Sequence, residues 1–199
     1  MPIYLPDWAV QNDAQPYLRD FGSVLTPFLG GPEQRINRLG TRFGLQVALP
    51  PAPSGNEALT IQSRLLQGRA DRLVMEWPQP GFDVGDPGAP LMAAAVAAGT
   101  VLPIKGMTPG HLLREGQFLS IIHLGRRYVH MIAANATVAG DGTATLSIFP
   151  MIRTSLAIND VVEIARPMIE GLVSPGDELS WRISVAKLSS FTFTVAEAA

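Results

Sequence analysis

Between Gln117 and Arg166 the apolar positions fall into short alternating runs broken by turn residues, the clearest paired-strand signal in the chain. Gln117–His123 and Arg127–Ala133 are rich in β-branched and aromatic residues, and Leu124-Gly125-Arg126 between them predicts a tight turn. In the second run Tyr128, His130 and Ile132 face one way, and Val129, Met131 and Ala133 the other. Gly140-Asp141-Gly142 tolerates the positive φ of a short turn, and so predicts a hairpin joining Asn135–Ala139 to Thr143–Phe149. Ala144, Leu146 and Ile148 there alternate with Thr143, Thr145 and Ser147. Val161–Ala165 is a last strand after the polar turn Asn159-Asp160. Together these make an antiparallel unit of about five strands, a size that closes into a compact sheet or barrel.

The flanks carry weaker patterns. Met1–Pro16 reads as an arm or a first edge strand anchored by Tyr4, Leu5 and Trp8. Ser23–Leu29 is a strand ended by Gly30-Gly31, with Pro27 arguing for an edge or a bulge. Gln34–Leu39 and Thr41–Leu49 are expected to pair around Gly40, with Phe43, Leu45 and Val47 turned inward. After Pro50-Pro51-Ala52-Pro53, Ser54 as N-cap and Glu57 three residues on predict a capping box and one helix. Ala58, Ile61, Leu65 and Leu66 form its apolar stripe, and Gly68 or the Ala70-Asp71 step ends it. Arg72–Trp77 is the next strand.

Gly81–Pro90 holds three glycines and two prolines and marks the exit from this first domain. Leu91–Gly99 is alanine-rich, a short helix or a loop, and Thr100–Lys105 is strand-like. Beyond Pro167, Met168–Val173 is a strand, and Ser174-Pro175-Gly176-Asp177 a turn. Leu179–Ala186 places Leu179, Trp181, Ile183 and Val185 on one face. Ser190–Ala196 does the same with Phe191, Phe193 and Val195. So apolar a final hairpin must join a sheet, and the unclosed sheet of Ser23–Trp77 is the available one. The expected organisation is therefore nested: residues 1–83 and 167–199 build one β domain with one helix from both chain ends, and residues 84–166 form an inserted small antiparallel β domain.

Composition adds a surface argument. Hydrophobic residues at 47% fill a real core, while charged residues at 16% fall below the roughly 25% of ordinary soluble domains. So sparse a charge points to a surface partly covered by partner subunits. The net charge of −2 comes without basic runs, which argues against nucleic acid as a partner. Cysteine is absent, excluding disulfides and thiolate metal sites. The start MPIYLPDWAVQND lacks a signal-peptide pattern, and the most apolar window, Ala89–Leu102, is too short and too weakly hydrophobic for a membrane span.

Candidate chemistry is thin. His123 and His130 fall on neighbouring strands, but a zinc site needs a further ligand from His111 or a carboxylate, and sheet-face hydrogen bonding is the plainer reading. No G-x-S-x-G elbow is present, and Ser120, Ser147, Ser180, Ser184, Ser189 and Ser190 read as solvent-face strand residues. Asp83/Asp86 and Asp177/Glu178 lie in Pro/Gly turns, where such side chains cap the backbone. Asp83-Val84-Gly85-Asp86 lacks the later acidic ligands of a calcium loop, and Asp141 is accounted for by its turn. Trp8, Trp77 and Trp181 would stack on a sugar if exposed together, but alternation turns Trp77 and Trp181 inward. The expectation is a non-enzyme with no catalytic, cofactor-binding or metal-binding residue.

Three stretches carry a family likeness: IYLPDW…LRDFG…GGPEQRINRLGTRFGLQVALPP, the central REGQFLSIIHLGRRYVHMIAANATVAGDGTATLSIFPMIRTSL, and the ending MIEGLVSPGDELSWRISVAKLSSFTFTVAEAA. They resemble minor tail proteins of long-tailed bacteriophages and prophages, of the distal tail protein type. The resemblance implies a tail-tube-like β-sandwich or split barrel with a second β domain inserted. It further implies a homo-oligomeric ring, a hexamer, between the tail tube protein and the baseplate hub protein. Such a protein belongs to the virion tail tip, assembled in the host bacterial cytoplasm. In some relatives the inserted domain resembles carbohydrate-binding folds, which makes a host-surface carbohydrate-binding module the alternative. The insert here shows no exposed aromatic cluster for that role, and a hydrolase would need a nucleophile–base pair that the sequence does not display.

Overall fold

The computed structural model describes residues 1–198. The first segment lays down β1 (Ile3–Tyr4), β2 (Asp13–Arg19), β3 (Ser23–Leu25), β4 (Gln34–Ile36), β5 (Arg42–Ala48), β6 (Ala52–Pro53), helix α1 (Asn56–Ala70) and β7 (Leu73–Glu76). In β5 the predicted alternation holds, with Phe43, Leu45 and Val47 all buried. Gly44 between them is covered by the Tyr17 ring of β2, the neighbouring edge strand. Of the two readings for Met1–Pro16, arm or edge strand, its last residues take the second, and the strand continues to Arg19. Its Pro16 is tolerated because an edge has one unpaired side. The segment expected to pair with β5 pairs elsewhere: β4 joins β3 in a separate two-stranded hairpin, Ser23 opposite Ile36.

The helix buries Ala58, Ile61 and Leu65 as its stripe predicts, but Leu66 lies 46% exposed, off that face. Its N-cap is Gly55, with no side-chain cap. Ser54 is used differently, its hydroxyl sharing a 2.8 Å hydrogen bond with that of Ser189. The helix ends at Ala70, where the Asp71 N–H donates to the Gln67 carbonyl at 2.8 Å.

The middle of the chain forms β8 (Gly88–Met92), β9 (Gly99–Met107), β10 (Leu112–Leu113), β11 (Phe118–His123), β12 (Arg126–Ile132), β13 (Ala136–Thr137), β14 (Ala144–Ile152) and β15 (Val161–Glu163). Six of them close into a barrel in the order β11-β12-β14-β9-β8-β15. Leu102, Ile104, Leu119, Ile121, Leu146 and Ile148 fill its interior. The β11–β12 turn is two residues, Leu124 at φ 49 and Gly125 at φ 72, one shorter than predicted. The Gly-Asp-Gly turn forms, with the Ala139 N–H on the Thr143 carbonyl at 2.8 Å, but β13 before it pairs with β10 instead of β14. β8 begins in the glycine- and proline-rich stretch read as an exit, and its last residues fall in the stretch left as helix or loop.

The chain returns in β16 (Met168–Val173), β17 (Trp181–Ile183) and β18 (Leu188–Glu197). The main sheet runs β1-β7-β16-β18-β5-β2, with β6 and β17 also on β18, so strands from both chain ends are hydrogen-bonded together. β17 covers only part of the predicted run over residues 179–186, and Ile183 and Val185 are exposed there, at 66% and 104%. Overall the protein is mainly β, with sandwich and barrel character and one helix among the described residues.

One buried cluster joins the two parts. Phe43, Trp77, Ile169, Phe191 and Phe193 from the sheet pack with Val129 of the barrel, and Phe118 and Met131 lean against them. The Phe118 ring lies 4.8 Å from Trp77 and 5.2 Å from Phe43. Aromatic pairs at such spacings gain attraction beyond their buried area. The β11–β12 hairpin is thus seated on the sheet's own core.

Candidate interaction surface

The histidines do not converge. His123 Nδ1 lies 2.7 Å from an Asp160 carboxylate oxygen, while His130 is buried and its Nδ1–H donates to the Pro150 carbonyl at 2.9 Å. Among the described residues no group of three His, Asp or Glu side chains could hold a metal. Asp83 and Asp86 accept the Gly85 and Gly88 N–H groups at 2.9 and 3.0 Å, the turn role predicted for them. Two serines depart from expectation. Ser120 is buried, donating to Glu163 at 2.5 Å and accepting the Met168 N–H at 3.0 Å, and Ser189 is buried against Ser54. Trp77 is buried, Trp181 half-buried, and Trp8 exposed, so the three build no joint platform.

Between sheet and barrel lies a charged seam that the sequence did not reveal. Glu197 of β18 pairs with Arg153, just past β14, at 2.5 Å, and also accepts the Val129 N–H at 2.9 Å. The Arg153 guanidinium sits 5.1 Å over the Tyr128 ring. A second patch sets Glu170, buried in β16, between Arg72 at 3.4 Å and the Arg127 N–H at 3.1 Å. Arg127 in turn forks onto Glu163. Burial pulls the imidazole of His130 down to about 4, and Arg153 adds to the effect. Burial pushes the carboxyl of Glu197 up to about 6 even though Arg153 opposes it.

These two groups act on stability in opposite directions. The fold prefers neutral His130, so its contribution is complete above the ordinary value of 6.5 and is lost as pH falls through about 4. That difference is worth about 3 kcal/mol. The fold prefers protonated Glu197, a contribution complete below 4.5 and lost as pH rises through about 6, worth about 2 kcal/mol. Between those limits the two slopes nearly cancel. A His130→Gln variant removes one of them. Relative to it, the wild type is expected to lose about 3 kcal/mol between pH 6.5 and pH 4 in urea titrations. Parallel curves for the two proteins would show that His130 takes up a proton freely in the fold.

On the outer surface, the β3–β4 hairpin presents Val24, Leu25, Phe28 and Leu29 to water, with Phe28 fully exposed. Its base is held by Arg35 on Asp20 at 2.6 Å and by the Thr41 hydroxyl on the same carboxylate at 2.9 Å. A groove of about 740 Å³ lies between the two edges of the main sheet, lined from one side by Tyr4 and Val74 and from the other by Ala14 and Pro16. Residues 5–12 run along it, with Gln11 bonded to the Glu76 carbonyl at 2.8 Å. No helix among the described residues is long and apolar enough to cross a membrane. Comparison with models of known protein families and with curated proteins finds no match.

Proposed function

We propose that this chain is a structural subunit of a bacteriophage tail tip, forming a ring that joins the tail tube protein to the baseplate hub protein in the virion. One observation carries the reading beyond the sequence resemblance: an apolar hairpin, Phe28 at 102% and Leu29 at 93% exposure, stands free of its own core. Contiguous apolar surface of this kind marks a protein contact. A sparsely charged chain, at 16%, is also what a subunit largely covered by neighbours needs. Its work is mechanical, supplying edges and loops to adjacent copies.

The alternative of a carbohydrate-binding insert lacks support. Phe118 is drawn into the sheet core and Tyr128 lies beneath Arg153, leaving Phe149, 38% exposed, as a single open ring without an aromatic partner on the barrel among the described residues. Light scattering on the purified protein is expected to give a mass several times 21.3 kDa, with rings in negative-stain images, six copies by the family resemblance. A monomeric mass at every concentration, together with absence of the chain from purified tails, would overturn the proposal.

A further inference from the structure

We infer that the tip of the β3–β4 hairpin of one copy docks into the sheet-edge groove of a second copy, head to tail. This rests on the ring-subunit reading and names the contact that would build the ring. Knob and hole sit at opposite ends of the same edge strand. The groove is lined by Asp13, Ala14 and Pro16 at the start of β2, and the hairpin departs after Arg19 at its end. The rise of the strand from these residues to Arg19 puts the two about 10–20 Å apart. The base of the hairpin is tied to Asp20 through Arg35 and Thr41, so the tip cannot fold back into its own groove with those bonds intact. Two different patches that fit each other make a heterologous contact, which propagates in one sense and closes into a ring when the rotation permits.

Shape and charge both favour a second copy as the occupant. The groove walls include Leu5, Val10, Ala14 and Val74, apolar partners for Phe28 and Leu29, and its volume is in the range that encloses a few large groups. At its rim Asp7 and Asp13 are exposed, and neither enters an ion pair among the described residues. Arg38 is exposed at the foot of the hairpin and likewise enters none. A docked tip brings that free cation toward those free carboxylates, which orients the encounter.

The absence of cysteine makes the test clean. Phe28→Cys and Val10→Cys each replace an exposed residue, one on the knob and one in the hole. Mixing the two single variants under mild oxidation is expected to give a disulfide-linked dimer that neither forms alone. The double variant is expected to give a ladder of linked species. Arg38→Glu should weaken association about tenfold by turning attraction into repulsion, with recovery on adding Asp7→Arg and Asp13→Arg. No more dimer from the mixture than from the single variants overturns the docking. Ring-sized wild-type particles without the Phe28–Val10 link overturn the docking alone. The link in a chain absent from purified tails overturns the tail-tip reading and leaves the docking standing.

Discussion

Arg153→Ala is expected to lower the unfolding free energy by about 3–5 kcal/mol, because it strands a carboxylate in a site without water. The pair is closed on every side. Arg153 and Glu197 side chains are 8% and 0% exposed, and their 2.5 Å contact joins the barrel to the last strand of the sheet. Removing the guanidinium also uncovers the Tyr128 ring it lies over. Arg42, itself held below its ordinary pKa by burial and by Arg153, offers Glu197 only a weaker electrostatic partner. The stranded carboxyl can escape by taking a proton. The loss should therefore be larger at pH 8 than at pH 5, since Glu197 titrates near 6 even with Arg153 in place. Replacing both partners with apolar residues of similar size should cost far less than Arg153→Ala, as buried pairs exchanged whole often do. Urea titrations of the two single variants and the double variant measure this. An Arg153→Ala loss below about 1 kcal/mol would show that water reaches the seam.

What could be read from the sequence was set by how one-sided each element's surroundings are. β14 and β18 put alternate residues into a core, so a period of two was visible and their faces could be assigned, whereas β11 and β12 are buried on both faces and stood out by their β-branched and aromatic residues. β2 was read only as an arm or an edge strand, without bounds, because its residues are nearly all at the surface and an exposed edge leaves no alternation. The β3–β4 pairing was missed for the same reason: with both faces in water, nothing in the pattern decides which neighbour it joins. Ser54 looked like a helix cap on local grounds and was claimed instead by Ser189, far away in the chain. The charged seam was hidden in the same way. Glu197 follows an apolar run near the end of the sequence, and only the packing of barrel on sheet places Arg153 against it. Conversely, Phe28 and Leu29 were read as the end of a strand, but β3 stops at Leu25 and leaves both solvent-exposed, which is why the candidate contact surface emerged only from the coordinates.

Gly171→Ala is expected to be the most damaging single methyl that this sheet can receive, with a loss above about 3 kcal/mol. Gly171 lies in β16 between Leu73 on one neighbouring strand and Glu197 on the other. A Cβ there would come 2.1 Å from the Ala196 carbonyl oxygen and 2.5 Å from its carbon. Those are backbone atoms of an interior strand, so no rotamer change relieves the overlap, and β16 and β18 must separate. Separation breaks ladder hydrogen bonds and shifts Glu197, the next residue along, out of its position on Arg153 and Val129. Sheet pairing and the seam between the two parts therefore fail together. Gly44→Ala is the control, since its Cβ would meet the Tyr17 ring at 2.3 Å, a side chain on an edge strand that is able to swing toward water. That variant should fold with a loss of about 1–2 kcal/mol, while Gly171→Ala should accumulate as insoluble protein or unfold at a far lower urea midpoint. Equal midpoints for the two would mean that β16 and β18 have slack at their crossing, and that Glu197 is held by Arg153 alone.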